Sequence, residues 1–70
     1  MEVKYVLDGT INGHPITPRS FGSRREAEKR LAAVLMRYDL QVEDDRKPQP
    51  HMEEFVCSYH TRFFIYRIVD

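Results

Sequence analysis

From Glu2 to Ile11, Val3, Tyr5 and Leu7 fall on one parity and Lys4, Val6 and Asp8 on the other, the period of two that marks a strand. Asn12-Gly13 follows, a pair that accepts the positive φ values of a type I′ turn. It is flanked by β-prone Thr10-Ile11 and by His14-Pro15-Ile16-Thr17, so the segment reads as a hairpin. Pro15 and Pro18 each lack a backbone donor, which confines the second arm to a sheet edge. Past Phe21-Gly22 the period changes. Ser23-Arg24-Arg25-Glu26 has the form of a capping box, and Ala27, Leu31, Val34, Leu35 and Tyr38 then share one helical stripe. This spacing predicts a helix from about Arg24 to Tyr38 docked on a sheet. Its end is poorly marked, because no Gly or Asn stands at the C′ position and Asp39 is the wrong charge for a helix C-terminus.

Leu40 to Met52, LQVEDDRKPQPHM, shows no period and contains two prolines, and reads as a long loop. Beyond it, Glu54 to Tyr59 and Phe63 to Val69 are rich in Phe, Tyr, Val and Ile. They predict a second hairpin that turns at Tyr59-His60-Thr61-Arg62. FFIYRIV is apolar on both parities, the mark of a central strand. The pieces assemble into an α+β fold of order ββαββ, a four-stranded antiparallel sheet with one helix packed on one face. One helix cannot hide both faces. The aromatics of the other face, drawn from Tyr5, Phe55, Tyr59, Phe64 and Tyr66, must lie at the surface or meet a partner, a second copy included.

The length of 70 residues allows one small domain, residues 1–70, and no second. Eleven Lys and Arg balance eleven Asp and Glu, so bulk charge favours neither a nucleic-acid nor a membrane partner. No apolar run has the length of a membrane span, and Met1-Glu2-Val3-Lys4 lacks the layout of a signal peptide; a cytoplasmic location is expected. Cys57 is the one cysteine, which leaves no internal disulfide and no multi-cysteine zinc site.

Catalysis would need a nucleophile, a base and an orienter held together. Cys57 and His60 are the nearest pair in sequence, but residues three apart on a strand face opposite ways, so Cys57 reads as a buried, unreactive thiol. The acidic run lacks the glycine and ligand alternation of an EF-hand, and Gly9, Gly13 and Gly22 match no phosphate-binding loop. No enzyme, metal site or cofactor is expected.

Charge is nonetheless unevenly placed. Ser23 to Tyr38 holds Arg24, Arg25, Lys29, Arg30 and Arg37 against Glu26 and Glu28, whereas Asp39 to Glu54 holds six acids against Arg46 and Lys47. Met36, with Ala32 and Ala33, stands off the apolar stripe of the helix, where a small-residue surface allows close approach by another protein.

The stretch Val3 to Leu31, a strand, an Asn-Gly hairpin, an edge arm ending in Phe21 and then Ser23-x-x-Glu26-Ala27-Glu28 opening a helix, resembles a pattern in small phage and mobile-element proteins. The arm-type DNA-binding domains of integrases are similar there, but this chain departs from them by continuing into a second hairpin. In size and outline the whole chain resembles the single-domain phage inhibitors of the anti-CRISPR kind. That resemblance implies a class of activity, binding a nuclease or other nucleoprotein complex, and assigns no residue a role. The leading expectation is therefore a non-enzymatic protein-binding inhibitor that occludes its partner, with Glu43, Asp44, Asp45, Glu53 and Glu54 offering carboxylates to a basic groove and Met36 or an exposed aromatic giving the dry centre. The alternative is a small DNA- or RNA-binding accessory protein that uses Arg24, Arg25, Lys29, Arg30 and Arg37, and a homodimer with paired open sheets is the third.

Overall fold

The computed structural model describes residues 2–69. Six strands and one helix follow in the order β1 (Val3–Ile11), β2 (His14–Pro15), β3 (Arg19–Phe21), α1 (Arg24–Arg37), β4 (Val42–Gln49), β5 (Met52–Cys57) and β6 (Arg62–Val69). All strand pairs are antiparallel. β6 lies between β1 and β5, β4 forms one edge, and β2 and β3 pair in turn along the free side of β1.

The α+β class and the helix on an antiparallel sheet agree with the sequence reading, while the four strands and the order ββαββ are corrected to six strands in the order βββαβββ. Two causes account for the difference. Pro15 and Pro18 do hold the second arm at an edge, and they also split it: Ile16 N–H still donates to the Gly9 carbonyl at 3.0 Å, but Thr17-Pro18 shift the register before β3 begins. The segment read as a loop contains β4. Every residue of Val42–Gln49 is exposed, so no buried parity exists to give the strand a hydrophobic period. Register shifts between Val42 and Asp44 and between Arg46 and Gln49 absorb the irregular backbone around Pro48, and the charges along this edge discourage pairing with other sheets.

Local chemistry fixes the elements that were legible. Asn12 and Gly13 adopt φ of 54° and 82°, as a type I′ turn requires. Ser23 Oγ accepts from the Glu26 N–H at 3.2 Å, the expected N-cap. The helix stops by a Schellman arrangement in which Asp39 takes the left-handed position with φ 54°. The Asp39 N–H donates to the Met36 carbonyl and the Leu40 N–H to the Leu35 carbonyl, which leaves Leu40 packed on the core.

The core lies between α1 and the sheet. Leu7 of β1, Phe63 and Ile65 of β6 and Cys57 of β5 meet Ala27 and Leu31 of the helix, and Phe63 and Ala27 have no exposed surface. Gly9 pairs with Phe63. A Cβ there would run into the Arg62 carbonyl oxygen and lie 2.8 Å from Phe63 Cα, so glycine is what lets β1 and β6 close at this point. Helix α1 packs on β1, β3 and β6, β5 joins the core through Cys57 and Phe55, and β4 forms the exposed edge beyond it.

Candidate interaction surfaces

On the side of the sheet away from α1, the strand registers assemble three rows. Val6, Tyr66 and Met52 form one; Asp8, Phe64, Glu54 and Arg46 the next; Thr10, Arg62, Val56 and Asp44 the third. Lys4 and Ile68 extend the platform at the outer end. Phe64, Tyr66, Met52 and Val56 are half-buried, Ile68 is exposed and Val6 is buried among its neighbours in the sheet. Tyr66, Met52 and Phe64 form an apolar patch, with the Glu54–Arg62 pair set into it on the inner strands and Asp8, Arg46, Asp44 and Lys4 at its margins. Glu54 is nearly buried at 8% exposure, and Arg62 Nη1 donates to its Oε2 at 3.2 Å, which offsets the cost of holding a carboxylate there.

Of the aromatics expected on this face, Phe64 and Tyr66 are there. Tyr5 and Phe55 lie on the other side, packed against the core under the helix, because their odd positions share the parity of Leu7 and Cys57. Tyr59 is in neither layer. It occupies the β5–β6 turn and is 78% exposed, with φ of 61° beside His60 at 55°. Two left-handed residues in succession make a type I′ turn out of side chains that disfavour it. Tertiary contacts hold it in place. The Gly13 N–H donates to the His60 carbonyl at 3.1 Å, and buried Thr61 accepts the Asn12 N–H at its hydroxyl, which itself donates to the Tyr59 carbonyl.

The acidic residues do not form one patch. Glu43 accepts from the Ser58 hydroxyl, and Asp44 accepts from Arg46 Nε. The register places Asp44 and Glu54 on the open face but Asp45, opposite Phe55, on the helix side. Glu53 also faces the helix side, where Arg24 pairs with it and with Glu28 at 3.2 Å. Met36 stands apart from all of them on the outer side of α1, 85% exposed.

The basic helix is divided as well. Arg24 is occupied by its two carboxylates, and helical spacing turns Arg25 and Lys29 outward with Met36. Arg30 and Arg37 instead line a groove between α1 and the β2–β3 edge, where Arg19 of β3 joins them. Arg19 escaped the sequence reading because its strand is three residues long and its neighbours across the groove lie eleven and eighteen positions away.

Cys57 is 6% exposed. Burial pushes its thiol above the ordinary range, and the negative charge of Glu43 adds to the shift, which disfavours the nucleophilic thiolate. Among the described residues no group of three or more His, Cys, Asp or Glu is placed to hold a metal ion, and no helix is long and apolar enough to cross a membrane. No family model, curated protein or solved structure matches the chain.

Proposed function

We propose that this protein is a non-enzymatic protein-binding module that acts by occupying the surface of a partner protein, with the uncovered sheet face as its contact. The apolar row Val6–Tyr66–Met52, with Phe64, Val56 and Ile68 beside it on a face that α1 does not cover, is the observation that carries the reading. An apolar patch with charged side chains at its margins is the anatomy of a protein interface.

Size says how the contact must extend. At about 4.8 Å between strands and about 3.4 Å per residue, four strands of six residues offer roughly 400 Å², half of the ~800 Å² that each partner gives to a stable complex. The exposed edge strand β4 supplies further surface. At the β4 edge Asp44 is paired with Arg46 and Asp45 faces the helix side, so an acidic contribution there rests chiefly on Glu43, and it favours a partner that is basic at that margin, as a nucleic-acid-binding groove is. Occlusion of such a groove is the mode of action expected of an inhibitor of the phage kind.

The test uses the protein captured with this chain from its source cells. Tyr66→Glu, at the centre, is expected to abolish the complex, while changing Glu43, Asp44 and Asp45 to Gln, Asn and Asn slows association at low salt and leaves dissociation nearly unchanged. Retention of the partner by Tyr66→Glu would sink the reading. Sedimentation of the isolated chain addresses the homodimer: a monomer across concentrations leaves the face free for another protein, and a dimer dissolved by Tyr66→Glu would replace this reading with self-association. Binding to duplex DNA or RNA that weakens steeply with salt and is lost on Arg25→Glu with Lys29→Glu would move the function to the helix.

A further inference from the structure

The split edge leaves a second concave surface, independent of the sheet face. Ile16 N–H still donates to the Gly9 carbonyl at 3.0 Å, Thr17-Pro18 then step out of register before β3, and between this broken edge and the near flank of α1 lies a groove of about 750 Å³. That is the size of a small-molecule site. Its floor is aliphatic: Leu7, Ile11, Ile16 and Val34 line it, and the last three are only half-buried, so the chain leaves apolar surface there that a ligand would remove from water. Its rim is cationic. Arg19 from β3 and Arg30 and Arg37 from α1 reach it, no carboxylate lines it, and among the described residues none of the three arginines is in a salt bridge. Arg25 and Arg67 also lack a carboxylate partner among the described residues, but neither lines this groove; what distinguishes the rim is that three such arginines converge on one apolar concavity.

We infer that this groove binds a small organic anion with an aliphatic body, its carboxylate or phosphate end held at the arginine rim and its chain laid over Ile11, Ile16 and Val34. Guanidinium groups suit such a head because each offers a fork of donors to two oxygens at once. A cationic or neutral amphiphile would satisfy the floor and leave the rim without a counter-charge. A bare anion would satisfy the rim and leave the floor wet.

Octanoate is the probe, read by shifts of the backbone amide resonances of the intact chain. It is expected to move Ile16, Ser20 and Val34 in a saturable way and to leave Phe64 and Tyr66 on the open sheet face unmoved. Octylammonium and inorganic phosphate are expected to move none of them saturably. Replacing Arg19, Arg30 and Arg37 by Gln, all at exposed positions, should weaken octanoate binding at least tenfold while binding of 1-octanol stays as weak as in the wild type and the melting curve is unchanged. Ala33→Trp, placed to fill the groove from the exposed flank of α1, should abolish binding of both, with its fold checked by the same amide spectrum. The inference fails if octanoate shifts no groove amide, if it acts first on the sheet face, if phosphate alone binds as well, or if the triple Gln variant keeps its affinity.

Discussion

Phe63 and Phe64 are adjacent, chemically identical and on the same central strand, yet Phe63 has no exposed surface and Phe64 is half-buried on the uncovered side. Ala27 and Leu31 meet the first; no described element crosses the second. The apolar content of β6 therefore serves two purposes. One parity holds the domain together, and the other leaves Phe64 and Tyr66 half-buried and Ile68 exposed on the uncovered side. That uncovered apolar surface supports the proposed contact, and the largest effect is expected from a pair of truncations. Phe63→Ala should cost about 3–5 kcal/mol, since it empties the centre of the core, whereas Phe64→Ala should cost less than about 1.5 kcal/mol. Urea unfolding of the two variants measures both. A small domain has only several kcal/mol to lose, so the first variant should be largely unfolded at 37 °C. Equal losses would mean that both faces are structural.

Gly9 sharpens the same contrast, because it faces the core side and its partner is Phe63. Gly9→Ala should cost about 2 kcal/mol or more, as the added methyl meets backbone that cannot move aside without parting β1 from β6. Gly13→Ala, with nothing within 4 Å of the new methyl, should cost less, the loss being only that of the left-handed backbone at φ 82°. The reverse ranking by thermal melting would contradict the close approach at Gly9.

The two hairpin turns differ in a third, smaller way. Asn12-Gly13 suits its conformation, while Tyr59-His60 is forced into the same conformation by bonds from Thr61 and Gly13. Replacing Tyr59 and His60 by Asn and Gly should stabilise the domain by about 1 kcal/mol. If that variant instead loses a bound partner, the exposed Tyr59 side chain belongs to the interface and the strain is retained for it.

The smallest effect is that of pH. The Cys57 thiol is held above its ordinary value by burial and by Glu43, so the folded state favours the protonated form. That contribution is whole below the unfolded value of about 8.5 and is lost as pH rises toward the higher folded value. Wild-type melting temperature should thus fall between pH 8 and pH 10 more than that of Cys57→Ala. Parallel profiles would show that the thiol does not feel its surroundings.

What could be read from the sequence follows from where burial imposes a pattern. The helix, its Ser23 cap, the Asn-Gly turn and the central strand FFIYRIV all leave local or periodic marks. β4 leaves none, since all its residues are exposed and its pairing with β5 is satisfied by backbone alone. The helix end was unclear for a related reason: Asp39 fills a position where glycine is the usual signal. Parity within one strand does not say which side of the sheet it faces, so Tyr5 and Phe55 cannot be placed from sequence; the registers of β1, β5 and β6 put both with the core. The acidic and basic clusters looked coherent in sequence and separate in space, because neighbours along a strand or helix point to different sides.

On the proposed function, the uncovered sheet face meets another protein. The most direct measurement is transfer of saturation from an unlabelled partner to the methyl groups of this chain in the complex. Met52, Val56 and Ile68 should lose signal strongly, and Val34 and Met36 on the helix should keep theirs. Loss confined to Val34 and Met36, with the sheet methyls unchanged, would contradict the account and place the contact on α1.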